Sequence, residues 1–195
     1  MLLEASDPAA GSAPCAFLTG PRIVLRGLVE SDAGGAYPTW FNDEEVCRYN
    51  SHHVRPYRRE DALEYIRAVN ASANDLVLAI TVRESGAHIG NVSLQGIDLT
   101  SRNAEFAIVI GDKRAWGQGY SKEAAALICR HGFAAMNLHR IGCGTSADNE
   151  PMIKLAKWLG MTEEGRRREA SFKNGRYVDV VEFGMLAADF TQHKG

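Results

Sequence analysis

Gly117-Gln118-Gly119 stands between an apolar, strand-like run from Ala104 to Ile110 and a helical pattern that begins near Ser121. A strand, a glycine loop and a helix start gather several backbone N–H groups around one point at the positive end of a helix, and glycines let a ligand approach that backbone closely. This is chemistry for phosphate. A plain tight turn needs the same glycines, so the loop alone leaves both readings open. The common nucleotide loops fail on spacing. Gly117-Gln118-Gly119-Tyr120-Ser121-Lys122 does not supply the P-loop pattern, and Lys122 stands where a dinucleotide fingerprint needs its third glycine. Other reactive side chains are dispersed. His52-His53 lacks a third ligand partner, so no metal site is expected. The four cysteines, Cys15, Cys47, Cys129 and Cys143, show no Cys-x-x-Cys spacing, which points away from disulfides and structural zinc and toward a reducing, cytoplasmic setting.

The elements that must position this loop follow from periodicity. Residues 1–20, rich in Ala, Pro, Ser and Gly, read as a flexible arm, and residues 21–190 as a single domain. Arg22 to Leu28 is predicted as a first strand. Ser31 and Asp32 offer an N-cap for a helix through Trp40, weakened by Gly34-Gly35. A second helix follows Arg58, with Ala62, Tyr65, Ile66 and Val69 at three-and-four spacing. Strands are predicted at Leu76 to Val82, His88 to Leu94 and Ala104 to Ile110, a long helix at Ser121 to Met136, a strand at Arg140 to Ser146, and a helix at Asn149 to Leu159. Asn174-Gly175 between the strand-like runs Arg168 to Phe172 and Tyr177 to Leu186 signals a closing hairpin. The sum is an α/β fold: a mixed, mostly antiparallel sheet of about seven strands flanked by about four helices. A net charge of −2 gives no general reason to expect nucleic acid or an anionic membrane as partner. Arg166, Arg167 and Arg168 read as a solvated face. No apolar run is long enough to span a bilayer, and Glu4 and Asp7 stand where a signal peptide would be basic.

Arg114-Ala115-Trp116-Gly117-Gln118-Gly119 matches the Q/R-x-x-G-x-G/A signature of the GNAT superfamily of N-acetyltransferases. Three further stretches fall in that family's order. "AEFAIVIGDK" resembles its fourth strand, "NLHRIGCGTSADNEPMIKLAKWLGM" its fifth strand with the Asn-headed helix after it, and "FKNGRYVDVVEFGML" its last hairpin. "LRGLVESDAGGAYPTWFNDEEV" is similar to the opening of the RimJ/RimL-like branch of ribosomal-protein N-terminal acetyltransferases. Spermidine acetyltransferases share the second half.

The resemblance implies acetyl-CoA as cosubstrate. Ile108, Val109 and Ile110 would pair with its pantetheine arm, one amide facing the thioester carbonyl, where such a donor is worth about 2.7–4 kcal/mol of barrier. Arg114, Trp116, Gly117, Gln118, Gly119, Tyr120, Ser121 and Lys122 would wrap the pyrophosphate, and Glu123 would point away. Asn149 would contact the cofactor arm or simply cap its helix. Glu105 is the candidate base, or an ordinary exposed carboxylate. Asn42, Glu44 and Tyr49, with Tyr177 of the hairpin, would bind the acceptor amine. The family's Ser and Tyr general acids are replaced by Met152 and Ala156. A thiol of pKa about 8.5 leaving at pH 7 lacks only roughly 2 kcal/mol, which solvent, Tyr120 or Tyr177 could supply. The implied reaction is direct attack of a protein N-terminal or small-molecule amine in a ternary complex. A non-catalytic CoA sensor is the rival, a nucleotide-binding protein a weaker one, and a homodimer stays open.

Overall fold

The run Leu76–Val82 is apolar on both faces, as a strand covered on both sides must be. In the computed structural model, which describes residues 15–190, it is covered so. Leu78 and Ile80 enter one core, while Val77 and Ala79 enter a second. The elements are β1 Ala16–Thr19, β2 Ile23–Gly27, a 3₁₀ turn Glu30–Gly34, α1 Tyr37–Trp40, α2 Arg59–Ala71, β3 Leu76–Val82, β4 His88–Asp98 and β5 Asn103–Ile110. After a 3₁₀ turn at Lys113–Ala115 come α3 Tyr120–Ala134, β6 Arg140–Ser146, α4 Glu150–Leu159, β7 Thr162–Lys173 and β8 Arg176–Leu186. Eight strands form one sheet in the order β1-β2-β3-β4-β5-β6-β8-β7. Neighbours are antiparallel except β5 and β6. α3 and α4 cover one face, around Phe106, Ile128 and Phe183. α1 and α2 cover the other, around Tyr37, Trp40 and Ile66.

The parallel pair positions the site. β5 and β6 share register only from Asn103↔Arg140 to Glu105↔Gly142. Past that point β5 continues along β4 to Ile110, and β6 continues along β8 to Ser146. The sheet therefore opens into a wedge whose one wall is the unpaired edge of β5. A second irregularity lies in β4, where Ile80 faces Gly90 but Thr81 faces His88. Ile89 is the extra residue of a β-bulge, which re-aims the side chains beside it.

Several expectations are corrected. Ala16–Thr19 of the expected arm is a strand paired with β2, while residues 1–14 lie outside the described residues. The helix expected from Ser31 to Trp40 is broken at Gly34-Gly35 into the 3₁₀ turn and short α1. Asp32 is buried, with its carboxylate turned to Arg26 and to the Val29 amide. β4 runs four residues further, and β7 begins at Thr162 rather than Arg168. That strand is exposed from Thr162 to Ala170, so no apolar alternation announces it. The turn forms at Asn174 (φ 52°) and Gly175 (φ 77°), the two positive φ values of a type I′ hairpin turn.

Candidate functional site

The wedge is walled by a backbone edge with donors to spare. The Gly111 amide bonds to the Ile89 carbonyl, which sets the phase of the β4–β5 ladder. Val109 therefore turns its own N–H and C=O toward β4, where its carbonyl lies so close to Gly90 that a side chain there would collide. Ile108 and Ile110 turn theirs toward the wedge. The Ile110 carbonyl is taken by Trp116 Nε1 at 2.8 Å, which fixes the indole beside the opening. Of the expected strand residues, two thus present backbone to the wedge, and Val109 presents its side chain to the opposite face.

The loop presents a cradle of backbone amides. Gly117 (φ 72°) and Gly119 (φ 81°) are both left-handed, and Gly119 is the N-cap of α3. Among the described residues, the amides of Gly117, Gln118, Gly119, Tyr120 and Ser121 donate to no acceptor; the first inward bonds come from Lys122 and Glu123 to the Gly119 carbonyl. Five consecutive free N–H groups at a helix N-terminus suit a diphosphate. Arg22, which sequence reasoning missed, joins them from β2's approach. Its Nη1 donates to the Gln118 carbonyl at 2.8 Å, and its guanidinium lies 4.9 Å from the Tyr120 ring centre. Glu123 points away from the cradle, as the resemblance implied. It accepts from Arg22 Nε and from the Arg22 and Ile23 amides, tying the start of β2 to α3. Arg114 is committed to Asp112 in an ion pair, Gln118 donates its side-chain amide to the Arg114 carbonyl, and Lys122 lies over the Trp158 ring. Asn149 caps α4 through the Met152 amide and donates to Thr145 Oγ1, so its side chain holds the end of β6 against the helix.

On the other face, a cavity of about 520 Å³ lies between α2, the segment after α1, and β4–β5. Its walls are Tyr37, Phe41, Tyr57 and Tyr65, its floor Asn91, Ser93 and Gln95 of β4 with residues 107–109 of β5, and Asp61 and Glu64 stand on α2. Burial pushes the Tyr37, Tyr57 and Tyr65 phenols up, so they stay neutral donors. Burial and the charge of Lys173 push the His52 imidazole down, so it is neutral at pH 7. Asp61 is held at about 2 by Arg58 and the Arg58 amide. None of the residues expected to bind the acceptor lines this cavity. Asn42 is spent bracing the Tyr57 backbone (Nδ2 to the carbonyl 2.6 Å, amide to Oδ1 2.8 Å). Glu44 sits in a separate acidic dip with Asp43, Glu45, Arg48 and Asn174. Tyr49 does not line the cavity. Tyr177 is 64% exposed at the hairpin tip against Phe172. Asn91, Ser93 and Gln95 had a readable signal: polar residues at every second position of an otherwise apolar strand face one way. The aromatic walls had none, because they arrive from three segments.

Glu105 projects, exposed, from the same face of β5 as Ala107 and Val109, opposite Gln95. Across the wedge stands Glu182 of β8, which accepts from Arg167 at 2.6 Å and lies over Gly144. No metal-binding group of His, Cys, Asp or Glu occurs among the described residues, and no helix there is long and apolar enough to cross a membrane.

These features agree with comparison to known proteins. The Acetyltransferase (GNAT) domain family matches residues 22–162. The N-acetyltransferase p20 of Bacillus licheniformis, itself uncharacterized, is 28% identical over 173 residues, covering 87% of this chain and 95% of that protein. The spermidine N-acetyltransferase of Vibrio cholerae, solved with CoA and spermine, shares the fold at TM-score 0.79 and 24% identity, over 87% of this chain and 98% of that one. RimJ of Mycobacterium smegmatis, solved with CoA-disulfide, does so at TM-score 0.78 and 19% identity, over 87% and 84%. With its split sheet, free amide cradle and matching family signature, the chain belongs to the GNAT acetyltransferase family and is an acyl-CoA-dependent N-acetyltransferase with acetyl-CoA as cosubstrate.

Proposed function

We propose that the chain, with one catalytic domain over residues 21–190, acetylates a primary amine by direct attack in a ternary complex. The acceptor is a protein N-terminal α-amine or a small-molecule amine. One observation carries this reading: residues 107–109 of β5 line the cavity with one face while the backbone edge at Ile108 and Ile110 walls the wedge. An amine in the cavity and a thioester along that edge would therefore meet across a single strand. The amide cradle fits the diphosphate of the cosubstrate, which supplies an acyl group already activated as a thioester. The Ile108 and Ile110 amides are the donors available to the carbonyl oxygen as charge grows on it. The spermine held by the Vibrio relative supports an amine as acceptor. An acyl-cysteine route has little support: burial pushes the Cys143 thiol up to about 12, with Glu105 and Glu182 adding to the effect, and Cys47 and Cys129 are also raised by burial.

The test is release of free thiol from acetyl-CoA in the presence of a panel of amines. Saturable CoA binding with no thiol release for any amine would instead support the sensor reading, which Met152 and Ala156 motivate. Two variants probe the parts. Glu105, with no ion-pair partner among the described residues, is the proposed base, so Glu105→Gln should lower the rate about 100-fold near neutral pH. The loss should shrink as pH rises, because the amine then arrives already deprotonated. A pH-independent rate ratio would remove Glu105 from the mechanism. Arg22→Ala should weaken acetyl-CoA binding by about tenfold, the scale of one charge-assisted hydrogen bond, while Glu123 keeps its two backbone donors. Calorimetric titration measures it.

A further inference from the structure

Asn91 is 7% exposed and lines the cavity, yet only half of its carboxamide is satisfied. Its Oδ1 lies 2.8 Å from His88 Nε2. Which end of the amide faces the histidine is decided by a third atom: the same Nε2 lies 3.0 Å from the Gly90 carbonyl, which can only accept. A hydrogen on Nε2 serves this contact; Asn91 then offers it oxygen, as the structure places it, and the Asn91 Nδ2 is left facing away from the histidine. Among the described residues nothing accepts from that NH₂. A buried amide donor without a partner is costly, and sites that keep one use it on a ligand.

The histidine is itself fixed. Its Nδ1 lies 3.5 Å from Asp32 Oδ1, and its ring stacks on Tyr37 at 5.9 Å. Asp32 takes a two-pronged ion pair from Arg26 at 2.8 and 2.7 Å, both side chains being almost wholly buried. A buried chain of polar contacts thus runs Arg26–Asp32–His88–Asn91 and ends at the cavity floor. The bulge at Ile89 makes this possible, since in a regular strand residues 88 and 91 would point to opposite faces.

We propose that Asn91 is a specificity-determining residue whose Nδ2 binds an oxygen on the acceptor, and that His88 is the positioning residue that aims it. This rests on the reading of the cavity as the amine site. Asn91 is paired with Val109, so the β5 edge lies one strand spacing beyond it, roughly 5 Å. The acceptor is then an amine carrying a carbonyl or hydroxyl oxygen about three or four bonds from its nitrogen. A plain alkylamine or polyamine, which has no such oxygen, would leave the Asn91 donor buried and unpaired.

The experiment titrates β-alaninamide, 3-aminopropanol, butylamine and spermidine into the protein saturated with CoA, by calorimetry. The wild-type chain is expected to bind one or both oxygen-bearing amines at least about tenfold tighter than the other two, the scale of one buried hydrogen bond. Which of the two is preferred separates carbonyl from hydroxyl. Asn91→Ala and the similarly sized, apolar Asn91→Leu should both erase the preference and leave CoA affinity within about twofold. His88→Ala should erase it too, and the double variant should lose nothing further, as coupled positions require. Retention of the preference in Asn91→Leu would overturn the proposal, as would a wild type that binds all four amines equally or none of them. A wild type that shows the preference but releases no thiol from acetyl-CoA leaves the proposal standing and removes the catalytic reading instead.

Discussion

Gly119→Val is expected to weaken acetyl-CoA binding by at least about 100-fold and to leave the fold in place. Gly119 holds φ 81° and ψ 4° as the N-cap of α3. A β-branched residue at positive φ is a genuine outlier, with a strain of about 1–2 kcal/mol or more. Turning the peptide relieves that strain, but it also turns the amides of residues 119–121 away from their common point. Each amide bonded to a phosphate oxygen contributes about 1.5–3 kcal/mol, so losing two gives the expected fold-change. The new Cβ itself would meet only Arg22 Nη2, at 3.4 Å, the far end of a flexible side chain. The melting temperature should drop by only a few degrees, as about 1–2 kcal/mol produces in a chain of this size. Calorimetric titration gives the affinity directly. Melting with and without CoA gives it again, since ligand at about 100 times its Kd adds roughly 2.7 kcal/mol to the wild type and should add almost nothing to the variant. Unchanged affinity would defeat the assignment of this loop.

The second large effect is on stability. Asp32→Ala should destabilise the fold by about 3–5 kcal/mol, the cost of leaving the buried Arg26 guanidinium without its carboxylate. That corresponds to a melting point lower by roughly 10 °C. Burial alone would raise the Asp32 carboxyl, but the Arg26 guanidinium, the neighbouring His88 and the Val29 amide outweigh it and hold the group well below the usual carboxylate range. A carboxyl depressed in the folded state stabilises above its unfolded pKa of about 3.9 and loses that contribution as pH falls toward the folded value. The gap in melting temperature between wild type and Asp32→Asn should therefore be widest near neutral pH and narrow below about pH 4. A gap independent of pH down to about 2.5 would show that the ion pair does not set it. Replacing Arg26 and Asp32 together by apolar residues of similar volume should recover much of the loss, because neither charge is then stranded.

Elements whose information lies in consecutive residues were legible. Leu76–Val82 was placed at its observed bounds from an apolar run, and the Asn174-Gly175 turn from two residues suited to positive φ. The glycine loop from Gly117 to Ser121 could be placed because strand, glycines and helix start adjoin in the chain. β7 was cut short because an exposed edge strand shows no apolar period. The residues expected on the acceptor side do not line the cavity, for a related reason. A polar, aromatic loop invites a binding role, yet Asn42 spends both ends of its amide on the Tyr57 backbone, fifteen residues on.

By itself, then, the sequence determined the order and type of most elements, the glycine loop between β5 and α3, and with them the family. The tertiary structure alone decided how far β5 and β6 stay paired before parting, and hence where the wedge opens. It decided that Arg22 meets the loop at Gln118, 96 residues on, and that one extra residue in β4 turns His88 to the side of Asn91. Periodicity records only which face a residue takes within its own element. Register, bulges and contacts between distant elements are set by packing of the whole chain, and no short window of residues carries them.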